Sequence, residues 1–253
     1  EADLALSPKF GQLLQQFGNE AGILFASQYF LFAYTLTEKN YKQAQIRIEA
    51  DVAQPYLHWV RTRWAAYREV VKGLGVGEEM VFVCRHAVTQ GMYAPGKSTY
   101  TFIKALLDAG EKVTLVSLGF VDDEFKALSR SSKNFTLARL TAKTVKERFE
   151  AFITLLSRLR PKTVITEVEF DIVSILAILK PQFPTVLLSA GFYNLPWYDK
   201  IGLTDTLADE PVGQRRDDFF TIPTYVSREL LDPHIELGRV KIVRKQLGFA
   251  ADD

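Results

Sequence analysis

A chain of 253 residues with 31 Lys and Arg against 30 Asp and Glu carries a net charge of +1, so it has no long-range field to gather nucleic acid or an anionic membrane surface. One cysteine, Cys84, excludes an internal disulfide framework and every multi-cysteine metal site, and it fits a reducing, cytoplasmic compartment. The length allows one large domain, or a domain with an appendage, either able to bury a substantial core.

Residues 1–74 read as a helical region. The apolar run "AGILFASQYFLFAYTL", 21–36, is interrupted by Gln28 and falls short of the roughly 20 apolar residues a bilayer span needs, which predicts a core helix. No basic segment precedes it, so it does not read as a signal peptide. "TEKNYKQ" follows as a polar connection. Leu57, Val60, Trp64, Tyr67, Val71 and Leu74 then recur at spacings of three and four, which predicts one apolar face on a helix begun by Pro55. The glycines of "GLGVG", 73–77, end that helix and open a second region, 75–253.

From Met80 short apolar runs alternate with helical segments. Strands are predicted at 80–84, 112–118, 135–140, 163–167, 185–190 and 219–223, several of them continuous rather than alternating, as in a sheet covered on both faces. Helices are predicted at about 97–109, 122–130, 144–159 and 170–180; in the third, Thr144 and Glu147 spell a capping box. This is the pattern of an α/β fold with a doubly wound, mostly parallel, Rossmann-like sheet and an N-terminal helical region. Ligands of such sheets bind outside the carboxyl ends of the strands, which directs attention to the loops after 84, 118, 140, 167 and 190.

"GMYAPGKS", Gly91–Ser98, has the spelling of a phosphate-binding P-loop, and a P-loop nucleotide hydrolase is one reading. Its context differs: "RHAVTQ" separates it from the strand, Pro95 removes an N–H from the cradle, and no later strand ends in a metal-organising Asp. The other reading is a ligand-facing loop in which Lys97, Ser98 and Thr99 start a helix and contact an anion or hydroxyl groups. "GLGVG" precedes the first strand, so no dinucleotide fingerprint exists and no cofactor is expected. His86 follows the first strand as a candidate base or a surface histidine. Glu167, Glu169 and Asp171, in "TEVEFD", cap the next helix or, in the case of Glu167, meet a ligand. The loop "SAGFYNLPWYDKIG", 189–202, gathers Tyr193, Asn194, Trp197 and Asp199 in the composition of a sugar- or ring-binding surface, or of ordinary packing. The three histidines have no metal-ligand spacing, and no metal is expected.

The runs "KSTYTFIKALLDAGEKVTLVSLG", "SAGFYNLPWYDKIGLTD" and "VRKQLGFAADD" resemble the first, acceptor-side lobe of a two-lobed, GT-B type glycosyltransferase, similar to O-GlcNAc transferase-like and related bacterial enzymes. His86 stands near the family's first-loop histidine, and the glycine–proline spacing around Gly191 is wider than in the O-GlcNAc transferase-like pattern. The resemblance implies a nucleotide-sugar donor held mainly by a second lobe beyond Asp253 and an acceptor of unknown identity. It also implies a base at His86 and an anion contact at Lys97, Ser98 and Thr99. The rival outside enzymes is a non-catalytic ligand-binding or interaction module of the same fold.

Overall fold

The computed structural model of the chain describes residues 20–37, 41–90, 94–189, 195–204 and 219–222. Its strands are β1 (Glu79–Cys84), β2 (Val113–Ser117), β3 (Phe135–Arg139), β4 (Pro161–Thr166), β5 (Thr185–Ser189), β6 (Lys200–Thr204) and β7 (Phe219–Ile222). They form one sheet, every pairing parallel, in the order β3-β2-β1-β4-β5-β6-β7. The continuous apolar runs follow from coverage on both faces. Val81, Val83, Val116, Val164 and Leu187 enter one core, whereas Phe82, Cys84, Val113, Leu115 and Ile165 enter the other, as the two-residue period of a strand requires.

The second of those faces is covered by α5 (Ala94–Asp108) and α6 (Asp123–Ser131), which supply Ile103 and Phe125. The first is covered by α7 (Val145–Leu159) and α8 (Ile172–Leu179) and then by the N-terminal helices. These are α1 (Glu20–Thr37), α2 (Tyr41–Ile48), α3 (Gln54–Arg63) and α4 (Arg68–Lys72). Helix α8, "IVSILAIL", is buried at every position, because it lies between the sheet on one side and the N-terminal helices on the other. Residues from Ile23 to Leu74 therefore belong to the same core as β1, β4 and α7. No described helix is long and apolar enough to cross a membrane.

The helical region departs from the expected layout at Pro55. Helix begins earlier, at Tyr41 inside the segment read as a connection, and Pro55 sits within the continuing rod. A proline cannot donate to the carbonyl one turn back and its ring crowds that carbonyl. The rod widens ahead of it into a π-turn at Glu49–Ala53, where the Gln54 N–H reaches Glu49 O. A second break at Trp64 passes through a 3₁₀ turn at Ala65–Tyr67 before α4. The apolar stripe survives both breaks: Val60, Trp64, Val71 and Leu74 are buried. At the end of the rod the chain passes Arg160, and a Cβ on Gly77 would overlap the Arg160 carbonyl, which accounts for a glycine there. The capping box forms as predicted, with Thr144 accepting from Glu147 N at 3.1 Å and Glu147 accepting from Thr144 N at 3.2 Å.

Trp64 joins the helical layer to α7, its ring centroid 5.0 Å from that of Phe149 in an edge-on arrangement. Trp64→Ala is expected to lower the unfolding free energy by about 3–5 kcal/mol, as truncation of a large core side chain does, read by urea denaturation. An unchanged midpoint would mean that the two layers do not depend on each other.

Candidate functional site

The strand order turns back between β1 and β4: the chain runs outward from β1 to β2 and β3, then returns to add β4 and β5 on the other side. The loops leaving the carboxyl ends of β1 and β4 diverge at this point and open a crevice. Residues 85–90 lie on one side of this switch point and 167–171 on the other.

The first loop is tied to the loop after β2. Ala87 pairs with Val121 as an isolated parallel bridge, Ala87 N–H donates to Phe120 O at 2.8 Å, and Asp122 N–H donates to Ala87 O at 2.9 Å. Asp122 accepts from the Thr89 hydroxyl at 2.8 Å while capping α6 through Phe125 N–H at 3.1 Å. His86 is held inside this lattice. Its Nδ1 accepts the Phe120 N–H at 3.1 Å, and its ring stacks on Phe120 at 5.5 Å. Gly119 makes the approach possible, since a Cβ there would overlap the imidazole. Burial, with the Arg85 charge adding to it, lowers the His86 pKa below its ordinary value. The neutral ring thus has its lone pair engaged by a backbone donor and its proton on Nε2.

The second loop carries the acids. Glu167 is half-buried, accepting the Thr99 hydroxyl at 2.7 Å on one oxygen and the Arg85 N–H at 3.4 Å on the other. Burial pushes its pKa up to about 7, offset in part by those two hydrogen bonds and raised further by Glu169. Glu169 is buried, and Gln28 of α1 donates to its Oε2 at 3.0 Å. Asp171 is also buried and caps α8 by accepting Val173 N–H at 2.7 Å, with Ser174 returning the box through its own hydroxyl oxygen. Burial pushes Asp171 up to about 7 as well. Its Oδ2 and the Gln28 Oε1 are buried without a hydrogen-bond partner among the described residues.

The expected site residues divide accordingly. Thr99 and Glu167 meet at the crevice, whereas His86, from the loop after β1, turns its ring onto Gly119 and Phe120 of the loop after β2. Helix α5 already begins at Ala94, so Ala94 and Pro95, which a phosphate cradle needs unwound, are helical, and the amides of Ser98 and Thr99 lie past the first turn, bonded within the helix. The anion contact expected of Lys97, Ser98 and Thr99 is therefore left to side chains, and Thr99 spends its hydroxyl on Glu167. Trp197 is not a ligand surface: it is 1% exposed and packs its ring 5.6 Å from Tyr56 and 5.9 Å from Phe170. Asp199 accepts from Thr185 N at 2.7 Å and Thr185 Oγ1 at 2.9 Å. Because Thr185 opens β5 and Asp199 directly precedes β6, that contact sits at the amino edge, away from the crevice. Tyr193 and Asn194 lie outside the described residues. No three described His, Cys, Asp or Glu side chains are grouped to hold a metal ion.

Gln28, Arg85 and Phe120 had not been expected at the site, whereas Glu169 and Asp171 had been read with Glu167 as an acidic cluster whose role is helix capping, which Asp171 performs. Gln28 had a signal of sorts, a polar break in an apolar run, but nothing in the sequence says which partner across 141 positions it meets. No protein family matches the chain, and no curated protein matches it either.

Two outcomes are expected of this geometry. An unfolded chain ionises Glu167 near pH 4.5 whereas the folded chain keeps the proton to about 7. The unfolded state therefore releases protons first, and stability falls as pH rises through that window and levels off above it. Urea denaturation between about pH 4 and 8 is expected to show a smaller fall in Glu167→Gln than in the wild type; an identical slope would locate the proton elsewhere. In Gly119→Ala the displaced ring leaves its buried position, so His86 titrates higher than in the wild type by proton NMR.

Proposed function

We propose that the chain is the acceptor-side lobe of a glycosyltransferase that moves a sugar from a nucleotide-sugar donor to an acceptor hydroxyl, with Glu167 as the general base. The observation carrying this reading is a half-buried carboxylate at the β1/β4 crevice whose pKa is raised to about 7, where a base works best near neutral pH. Thr99 and the Arg85 amide hold the carboxylate in place. The acceptor oxygen would bond to the anomeric carbon as the bond from that carbon to the nucleoside diphosphate breaks, its proton passing to Glu167. His86, with its Nδ1 committed to Phe120, would serve as a hydrogen-bond donor through Nε2 and not as the base. Lys97, on the first turns of α5, would face the anionic donor, whose remaining contacts this reading assigns to a second lobe. A cytoplasmic address, where nucleotide sugars and a reduced Cys84 are at home, goes with it.

In an enzyme assembled with its donor lobe, Glu167→Gln is expected to lower kcat by about 10²–10⁴ with a smaller change in acceptor KM. Wild-type turnover in that variant would remove the assignment. ATP or GTP with magnesium should leave the melting temperature of the chain unchanged, because a nucleotide stabilises only a protein that binds it. Nucleotide binding that vanishes in Lys97→Ala would replace this reading with the P-loop hydrolase.

A further inference from the structure

We propose that the acidic pocket of Glu167, Glu169 and Asp171, closed from behind by Gln28, receives its ligand through a protonated amino group. The acceptor reading supplies the sugar portion of that ligand; the cationic portion rests on the pocket itself.

Buried acceptors gather here. Glu167 takes the Thr99 hydroxyl and the Arg85 N–H, Glu169 takes the Gln28 amide, and Asp171 takes the Val173 N–H. Two buried oxygens remain without a donor among the described residues, Asp171 Oδ2 and Gln28 Oε1. They come from different elements: Gln28 is 8% exposed and arrives from α1 with its amide nitrogen on Glu169, so its carbonyl oxygen is buried beside that acid. A buried acceptor left unpaired is costly, so the group that completes the pocket is a donor; beside three carboxylates a cationic donor gains most.

Two kinds of cation could supply it, and the arrangement favours one. A metal ion needs several ligands converging on one point, and no three described acidic, histidine or cysteine side chains do so. An ammonium carries three N–H groups that point apart and can reach separate acceptors. The approach is from the crevice, where Glu167 is partly exposed while Glu169 and Asp171 behind it are 6% and 7% exposed. Arg85 stands just past the end of β1, and its charge lowers Glu167 and Asp171 by less than burial raises them.

The experiment is calorimetric titration of the chain with glucosamine, glucose, glucose 6-phosphate and 2-aminoethanol, repeated from about pH 6 to 8. Glucosamine is expected to bind roughly tenfold or more tightly than glucose, as charge-assisted hydrogen bonds allow, with affinity rising with pH as Glu167 and Asp171 ionise. Glu169→Gln and Gln28→Leu are expected to abolish that preference; where either fails to fold, Glu167→Gln serves in its place. If 2-aminoethanol binds and no sugar does, the cationic pocket stands and the glycosyltransferase reading falls. If glucose or glucose 6-phosphate binds as tightly as glucosamine, the sugar reading stands and the amino group is overturned. Binding by none of the four, or an amine preference unchanged in all the variants, overturns the pocket.

Discussion

Helix α8 has no side that tolerates water. Eight consecutive residues, Ile172 to Leu179, are all buried, so a single covering layer cannot satisfy the helix. The sheet takes one side, and α3 and α4 must take the other. The one polar side chain within α8, Ser174, meets the hydroxyl of Tyr56 on α3 at 2.7 Å, which removes the penalty of placing a hydroxyl there. Tyr56 in turn stands edge-on to Phe170 at 4.9 Å and against Trp197 at 5.6 Å. The N-terminal helices are thus the outer half of a sandwich whose filling is α8.

That arrangement dictates the chemistry at the edge. The segment that enters α8 carries Glu169 and Asp171, and the layer that buries the helix buries them with it. From the other side Tyr198 sends its hydroxyl to the carbonyls of Val168 and Glu169 at 3.3 and 3.2 Å, fixing the backbone between the acids. Held in this way, Asp171 cannot relax toward water, so it keeps a proton that an exposed acid releases. The same packing that makes α8 stable makes the loop before it electrostatically strained, a common trade at sites that bind or react.

The central sheet was legible because its strands are continuous apolar runs, and the capping box of α7 was spelled out by Thr144 and Glu147. Strand β6 was not legible. "KIGLT" contains a charge and a glycine and only two apolar residues, and it is a strand because β5 and β7 pair with it on either side. Missing it misplaced Asp199: with no strand starting at Lys200, the whole segment from 189 to 202 read as one carboxyl-edge loop, whereas the chain recrosses the sheet before Asp199. Trp197 misled for a different reason, since an aromatic cluster has the same composition on a binding surface and in a core. Glu167 was readable from its place at the end of a strand, but its partners, the Thr99 hydroxyl on α5 and the Arg85 N–H just past β1, lie 68 and 82 positions away, and no local pattern records such long-range encounters.

The amide of Gln28 links α1 to the acids at the sheet edge. A link of that kind works in both directions, because whatever occupies the acidic pocket changes the free energy of seating α1, and whatever loosens α1 changes occupancy by the same amount. Gln28 is therefore a point at which substitutions on the outer surface of the N-terminal layer, none of them touching a ligand, acquire an influence on affinity. Natural variation along α1 would then tune the crevice from behind while leaving the residues that line it unaltered.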